Sequence, residues 1–449
     1  MKIVAPISLW LIPKNKSTLV RRFVSLSSGR QREMCSTLSI NLKRHKRYFH
    51  NPFTDNDTAN IASEISTEWL KSAAGRLVDS IISRKQHSDD LEGGVYTGIA
   101  GDGYGALVAT TLFPSRQEEL MNFCENCISR HIRHSKSSSA RHESQFLLGM
   151  LGVYVVKILS AVKMNKEVDS TLNYIKDVCR VSLKDGYQGH GDDEMLVGRA
   201  GILAAFLNLR MMLPNFSEPQ DLLRNIVQKM LESGRAYARR HRSPCPLMYQ
   251  YYGTEYLGAA HGLMGILQML LSYPHYLREP DLKDIRDTLE WILSIQQENG
   301  NIAPSADEVG SARGDDELVH WCHGATGLVF LMIVAYQSFK DDRYTEAAKR
   351  ALELIWNRGL LHKGPGICHG VAGNGYAFLL FYRLTHEQEY LDRALCFAKV
   401  FCSPSFKDQA RTPDSPYSLF EGISGSLCYL CDLTCPDKAQ FPLVPIAFD

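Results

Sequence analysis

A G-x-x-G pair recurs seven times along this 449-residue chain, and few folds accommodate that rhythm. The pairs are Gly98/Gly101, Gly149/Gly152, Gly198/Gly201, Gly262/Gly265, Gly324/Gly327, Gly370/Gly373 and Gly422/Gly425, with first glycines 51, 49, 64, 62, 46 and 52 residues apart. Each opens a run of small and aliphatic residues, such as GRAGILAAFL or HGATGLVFLM. Between the pairs lie stripes at helical spacing. Trp69, Ala73, Leu77, Val78, Ile81 and Ile82 form one; Leu282, Ile285, Leu289 and Ile292 form a second, closed by Asn299-Gly300; Tyr344, Ala347, Ala351, Leu354 and Ile355 form a third, ending at Gly359.

Strand-like alternation is scarce, so each unit reads as a helix, a glycine-marked turn and a second helix. A period near 50 residues suits such a hairpin, whose apolar face only its neighbours can cover. The expected fold is all-α: a seven-hairpin α/α toroid, a double-layered α/α barrel with inner and outer helices. The glycines would start the inner helices, where backbones approach closely or φ turns positive. Those helix starts would point free N–H groups at one end of the ring, an inviting place for anionic ligands.

Composition narrows the class. Hydrophobic residues make up 45% and charged residues 22%, enough to bury a sizeable core in a soluble globular protein. No run approaches the roughly 18 to 20 uncharged apolar residues that span a bilayer, which leaves at most peripheral membrane association. A net charge of +1 gives no general attraction to nucleic acid. Twelve cysteines spread along the chain, with no convincing signal peptide, point to a reduced cytoplasmic setting.

The charge is uneven: residues 1–50 carry eleven Lys/Arg against the single acid Glu33, so the remainder stands at −9. Residues 1–46 read as a basic, disordered extension and residues 47–449 as the toroid. The extension's Ser/Arg-rich, acid-poor composition also fits a mitochondrial transit peptide, the alternative localisation.

Three consecutive units carry distinctive polar residues just before their glycines: Ala260-His261-Gly262, Trp321-Cys322-His323-Gly324 and Cys368-His369-Gly370. Equivalent turns of adjacent hairpins would gather these groups in space. Thiolate and imidazole are the preferred ligands of zinc, and Cys322, Cys368 and His369 would supply three donors with a fourth position open. A thiol entering that position would be deprotonated at neutral pH. His261 and His323 remain for acid–base work. The plainer reading makes the cysteines small buried hydrophobes and the histidines polar residues satisfied at turns. Cys124-x-x-Cys127 and Cys428-x-x-Cys431 lie in helix-like segments; Cys428, Cys431 and Cys435 read as core-facing.

Taken together, WCHGATG, CHGVAGNGY, AAHGLMGI, DDEMLVGRAGIL and RTPDSPYSLFEGISG resemble the eukaryotic LanC-like proteins, relatives of the bacterial lanthionine cyclases. The likeness runs from about Arg47 to the C-terminus, and its C-terminal part is most similar to the third LanC-like paralogue. The resemblance implies zinc held by Cys322, Cys368 and His369, and glutathione bound by Arg47, Lys363 and Arg411. It implies that the glutathione thiol adds to dehydroalanine or dehydrobutyrine in formerly phosphorylated proteins, a thioether-forming peptide modification. His261 matches the family's catalytic histidine, with His323 as a second candidate acid. Glu194 falls where the cyclases have a catalytic aspartate, or serves as an N-terminal helix carboxylate. The cyclases have Cys-Tyr-Gly where this chain has Cys322-His323-Gly324, so the acid chemistry is arranged differently.

Two other functions compete with this glutathione transferase. One is a non-catalytic zinc- and glutathione-binding sensor or adaptor. The other is an α/α-toroid glycosidase, which would need paired carboxylates such as Asp315, Asp316 and Glu317.

Overall fold

The computed structural model describes Ile40 and residues 42–448, apart from 55–56, 85–88, 136–138, Pro214 and Ala312. Most of the basic segment 1–46 therefore lies outside the described residues. Ile40 and Leu42 are buried in the core, so packing reaches upstream of Arg47.

Seven inner helices start directly after the first glycine of each pair: Ile99–Ala109, Met150–Lys163, Arg199–Met212, Leu263–Leu271, Ala325–Phe339, Val371–Thr385 and Ile423–Asp432. Each packs on the next, and the seventh packs on the first, which closes the ring. Inner helices are apolar almost all round, because they are covered on both sides; every residue from Val371 to Phe381 is buried. Outer helices are amphipathic. Asp342–Arg358 buries Tyr344, Ala347, Ala351, Leu354 and Ile355 on one face, and the Asp341 side chain caps its start by accepting from Arg343 N–H. Glu279–Ile295 ends four residues before the expected Asn299-Gly300 stop, since Gln296 is already extended.

The seventh hairpin is built from both ends of the chain. Its outer helix, Thr67–Ser83, packs against Ile423–Asp432 although they are the first and last long elements. The segment after the last helix then fills the ring at the C-terminal ends of the inner helices. Phe441, Leu443, Val444 and Ile446 are buried there. Asn208 donates to the Leu443 carbonyl (2.9 Å), Gln337 to Ala447 (3.1 Å) and Arg383 to Ala439 (2.9 Å), tying the plug to three inner helices.

At the opposite end, the turns before the inner helices form a second ring of their own. Val95 N–H donates to Leu147 O, Leu147 to Leu196, Met195 to Ala260, Trp321 to Cys368, Ile367 to Phe420, and Phe420 back to Tyr96. Between units four and five, Gly258 packs directly on the Cys322 carbonyl.

The glycines permit this. A Cβ on the second glycine of any pair would lie 1.9 to 2.5 Å from the carbonyl oxygen six residues upstream. Close approach is thus the rule, whereas among the first glycines only Gly324 has a positive φ, at 112°.

The turns also use the helix-start N–H groups. Val371, Ala372 and Gly373 donate to the carbonyls of Gly364, Pro365 and Gly366; Arg199, Leu263 and Ile423 likewise donate to carbonyls seven residues upstream. The expected rim of free donors is therefore largely consumed, and anion binding falls to side chains.

Gly373→Ala would place Cβ 1.9 Å from the Ile367 carbonyl and is expected to cost at least about 3 kcal/mol. Gly75→Ala, inside an outer helix with only an ordinary 3.7 Å contact to Phe113, is expected to be neutral or to stabilise by up to about 1 kcal/mol. Denaturant melts of both variants check the contrast; equal losses would contradict it.

Candidate metal and thiol site

Because the seven turns are equivalent, the two residues before each first glycine converge at one end of the ring. They are Tyr96-Thr97, Leu147-Leu148, Leu196-Val197, Ala260-His261, Cys322-His323, Cys368-His369 and Phe420-Glu421. All but Leu147, Val197 and Phe420 line a cavity of about 710 Å³. The volume is ample for a tripeptide-sized ligand.

Units five and six contribute the sulfurs. Donor atoms of Cys322, Cys368 and His369 all lie within 4.8 Å of one another, the one such His/Cys/Asp/Glu group among the described residues. The Tyr96 hydroxyl donates to Cys368 Sγ at 2.8 Å, and its ring stacks on Phe420 (4.6 Å between centroids). The two thiols differ in acidity. A hydrogen bond from Cys368 holds Cys322 well below the ordinary thiol range, while burial pushes Cys368 up. A buried sulfur pair with an imidazole beside it, all donors within 4.8 Å, fits a zinc ion by donor type and spacing. Burial pushes His320, whose Nδ1 lies 3.9 Å from Cys322 Sγ, down to about 4 and keeps it neutral.

Unit four contributes His261. Its Nδ1 lies 2.8 Å from Glu194 Oε2, and the Tyr251 ring stacks on it (4.5 Å, 4°). Glu194 is buried and accepts from Leu196 N–H (3.0 Å), Val197 N–H and Gly198 N–H (3.0 Å). The carboxylate therefore caps the turn of unit three and fixes His261 at once. The helix-carboxylate role expected of Glu194 is thus observed, and its contact with His261 places it beside the cavity. With a proton on Nδ1 toward the carboxylate, His261 keeps Nε2 for the cavity it lines. His323 also lines the cavity, but burial lowers its pKa, and its buried Nδ1 has no hydrogen-bond partner among the described residues.

Three cations meet at the rim by backbone pairing. His362 N–H donates to Arg47 O (3.0 Å), and Arg411 N–H donates to His362 O (2.7 Å), so Arg47, Lys363 and Arg411 sit on adjacent extended segments. All three line the cavity. Arg47 also pairs with Asp316 (3.2 Å) and Arg411 with Asp414 (3.2 Å). These are half-exposed pairs that an incoming carboxylate can displace at little cost.

Of the residues picked from the sequence, eight line this one cavity and the ninth, Glu194, holds one of the eight. Within the acidic run offered for glycosidase chemistry, Asp316 binds Lys46 and Arg47, and Glu317 binds Arg358 and Asn299. Cys124 and Cys127 are buried on one outer helix and Cys428 and Cys431 on one inner helix, while Cys435 lies past that helix and is exposed. Tyr96, Glu421 and the tyrosines 251, 252 and 256 also line the cavity and escaped the sequence reading. For Tyr96 and Glu421 the signal was present: they occupy, in units one and seven, the positions that hold Cys and His in units five and six.

Compared with known proteins, residues 89–446 match the family described as lanthionine synthetase C-like protein. A zebrafish (Danio rerio) protein named glutathione S-transferase LANCL1 is 36% identical over 324 residues, covering 70% of this chain and 76% of that protein. The Arabidopsis thaliana LanC-like protein GCL1 is 35% identical over 370 residues, covering 78% and 81% respectively. Among solved structures, nisin cyclase superposes with a TM-score of 0.59 at 18% identity, over 85% of this chain and 95% of that one.

In chelator-treated protein at pH 7, Cys322 is expected to be alkylated well ahead of Cys179 and Cys428. Its lowered pKa keeps it a thiolate until the pH falls through that value, whereas burial holds the other two protonated. Peptide mapping after iodoacetamide reads the order, and equal rates for the three would contradict this difference in acidity.

Proposed function

The chain belongs to the lanthionine synthetase C-like family, and on that premise we propose that it adds the thiol of glutathione to dehydroalanine or dehydrobutyrine residues of proteins. The observation that carries this reading is the meeting of a Cys/Cys/His donor set with Arg47, Lys363 and Arg411 around one cavity. A similar protein whose name is glutathione S-transferase supports the choice of thiol.

Cys322, Cys368 and His369 would hold zinc. Bound there, zinc supplies an open coordination position and the charge that keeps an incoming thiol deprotonated. The chain's own residues do the rest. Arg47, Lys363 and Arg411 bind the two carboxylates of glutathione and so set the direction from which its sulfur arrives. A carbon–sulfur bond forms at the β-carbon of the dehydroamino acid, and the α-carbon takes up a proton. His261 Nε2 delivers that proton. Glu194 holds Nδ1–H, fixes the tautomer and stabilises the imidazolium that precedes delivery. Tyr251 and Glu194 leave the ring little freedom to turn. His323 serves less well as the acid, because burial disfavours its charged form.

Incubating the zinc-loaded protein with glutathione and a dehydrobutyrine peptide is expected to give a mass gain of one glutathione. His261→Ala is expected to slow adduct formation by about 100-fold or more while leaving zinc and glutathione bound. Zinc and glutathione binding with no adduct would overturn the reaction and leave the sensor reading.

A further inference from the structure

The cavity has two chemically different walls. Around the ring, Arg47, Lys363 and Arg411 stand before units six and seven and the sulfurs in units five and six; Arg313, before unit five, is already paired with Glu308, and units one to four contribute no Lys or Arg to the lining. That second side is made by Leu148, Leu196, Ala260 and the tyrosines 251, 252 and 256. The tyrosines belong to the long connection between units three and four. There Tyr251 and Thr254 pair as a tight antiparallel bridge that reaches over His261.

Tyr252 stands at the tip of this bridge. It is 48% exposed, among the few large apolar side chains left in solvent. Its backbone is left-handed, with φ of 49°, a conformation unfavourable for a non-glycine residue. The strain is held in place. Tyr252 N–H donates to His190 O (2.7 Å), and the His190 ring stacks on the tyrosine ring (4.6 Å, 18°). An aromatic side chain is thus fixed at the rim, against its backbone preference, and left half exposed.

We propose that this aromatic wall, with Tyr252 as its outer anchor, is the docking subsite for the electrophilic polypeptide: an extended segment, uncharged around its dehydroamino acid. The inference rests on the reaction proposed above, since that reaction brings two substrates to one cavity. The anionic tripeptide takes the cationic wall by charge. The polypeptide must then reach the sulfur from the side of His261, and that side offers aromatic faces and aliphatic groups. A neutral, planar dehydroamino acid and its apolar neighbours suit such a surface; a phosphorylated or acidic segment does not. Selectivity for residues that have already lost their phosphate follows from the same partition of charge.

The test uses the zinc-loaded full chain and an unreactive probe. The probe is a fluorescein-labelled extended peptide of apolar residues with 2-aminobutyrate in place of dehydrobutyrine, read by anisotropy, while glutathione binding is read by calorimetry. Tyr252→Ala is expected to weaken peptide binding by about tenfold, the order of one aromatic packing contact, and to leave glutathione affinity within twofold. Tyr252→Phe is expected to restore peptide binding, which separates loss of the ring from a disturbed fold. Unchanged peptide binding in Tyr252→Ala, no peptide binding by the parent protein, or a loss that falls on glutathione instead would each overturn the proposal. A parent protein that takes the peptide but not glutathione would contradict the glutathione reaction and leave this wall standing.

Discussion

Everything in this molecule depends on a carbonyl oxygen pressed against a glycine that has no side chain. In all seven units the second glycine of the pair meets the carbonyl six residues upstream at a distance no Cβ could tolerate. That contact folds the turn back over the start of its own inner helix, so that turn carbonyls cap the helix N–H groups. It also sets each turn at the same height as its neighbours. The turns can then hydrogen-bond to one another around the ring, and Phe420 can close the circle on Tyr96.

The site is a by-product of that equivalence. In five of the seven units the side chain two residues before the first glycine lines the same cavity, so placing a thiol there in two adjacent units makes a sulfur pair. Rigidity comes from outside the repeats. The outer helix Thr67–Ser83 completes the seventh hairpin, and the C-terminal plug stacks Phe441 on Trp321, the residue before Cys322 (5.3 Å). The segment around Arg47 is paired to the loop before unit six, which gives the N-terminal part of the chain a share in the cavity. That share lies outside the family match, which begins at residue 89.

The glycine rhythm made the ring and the Cys/His cluster legible, because both follow from period and position alone. What escaped depends on contacts that no period encodes. Glu194 and His261 are 67 residues apart, and only the adjacency of units three and four makes them partners. The free N–H groups expected at helix starts are largely consumed because turns fold back to cap their own helices, a consequence of the chain path rather than of residue type. The tyrosine wall belongs to no repeat. Its trace was the spacing of 64 residues between the third and fourth glycine pairs, the longest in the chain and long enough to carry an extra element. Tyr96 and Glu421 were missed for a simpler reason: they break the Cys/His chemistry while keeping its positions.

Elemental analysis of the freshly purified chain, beside Cys368→Ala, tests the central claim most directly. The account predicts about one zinc per chain in the parent and none in the variant, as a three-ligand site with an open position requires. A well-folded parent protein that holds no zinc would contradict it; the toroid would stand, and the sulfurs would be no more than buried neighbours.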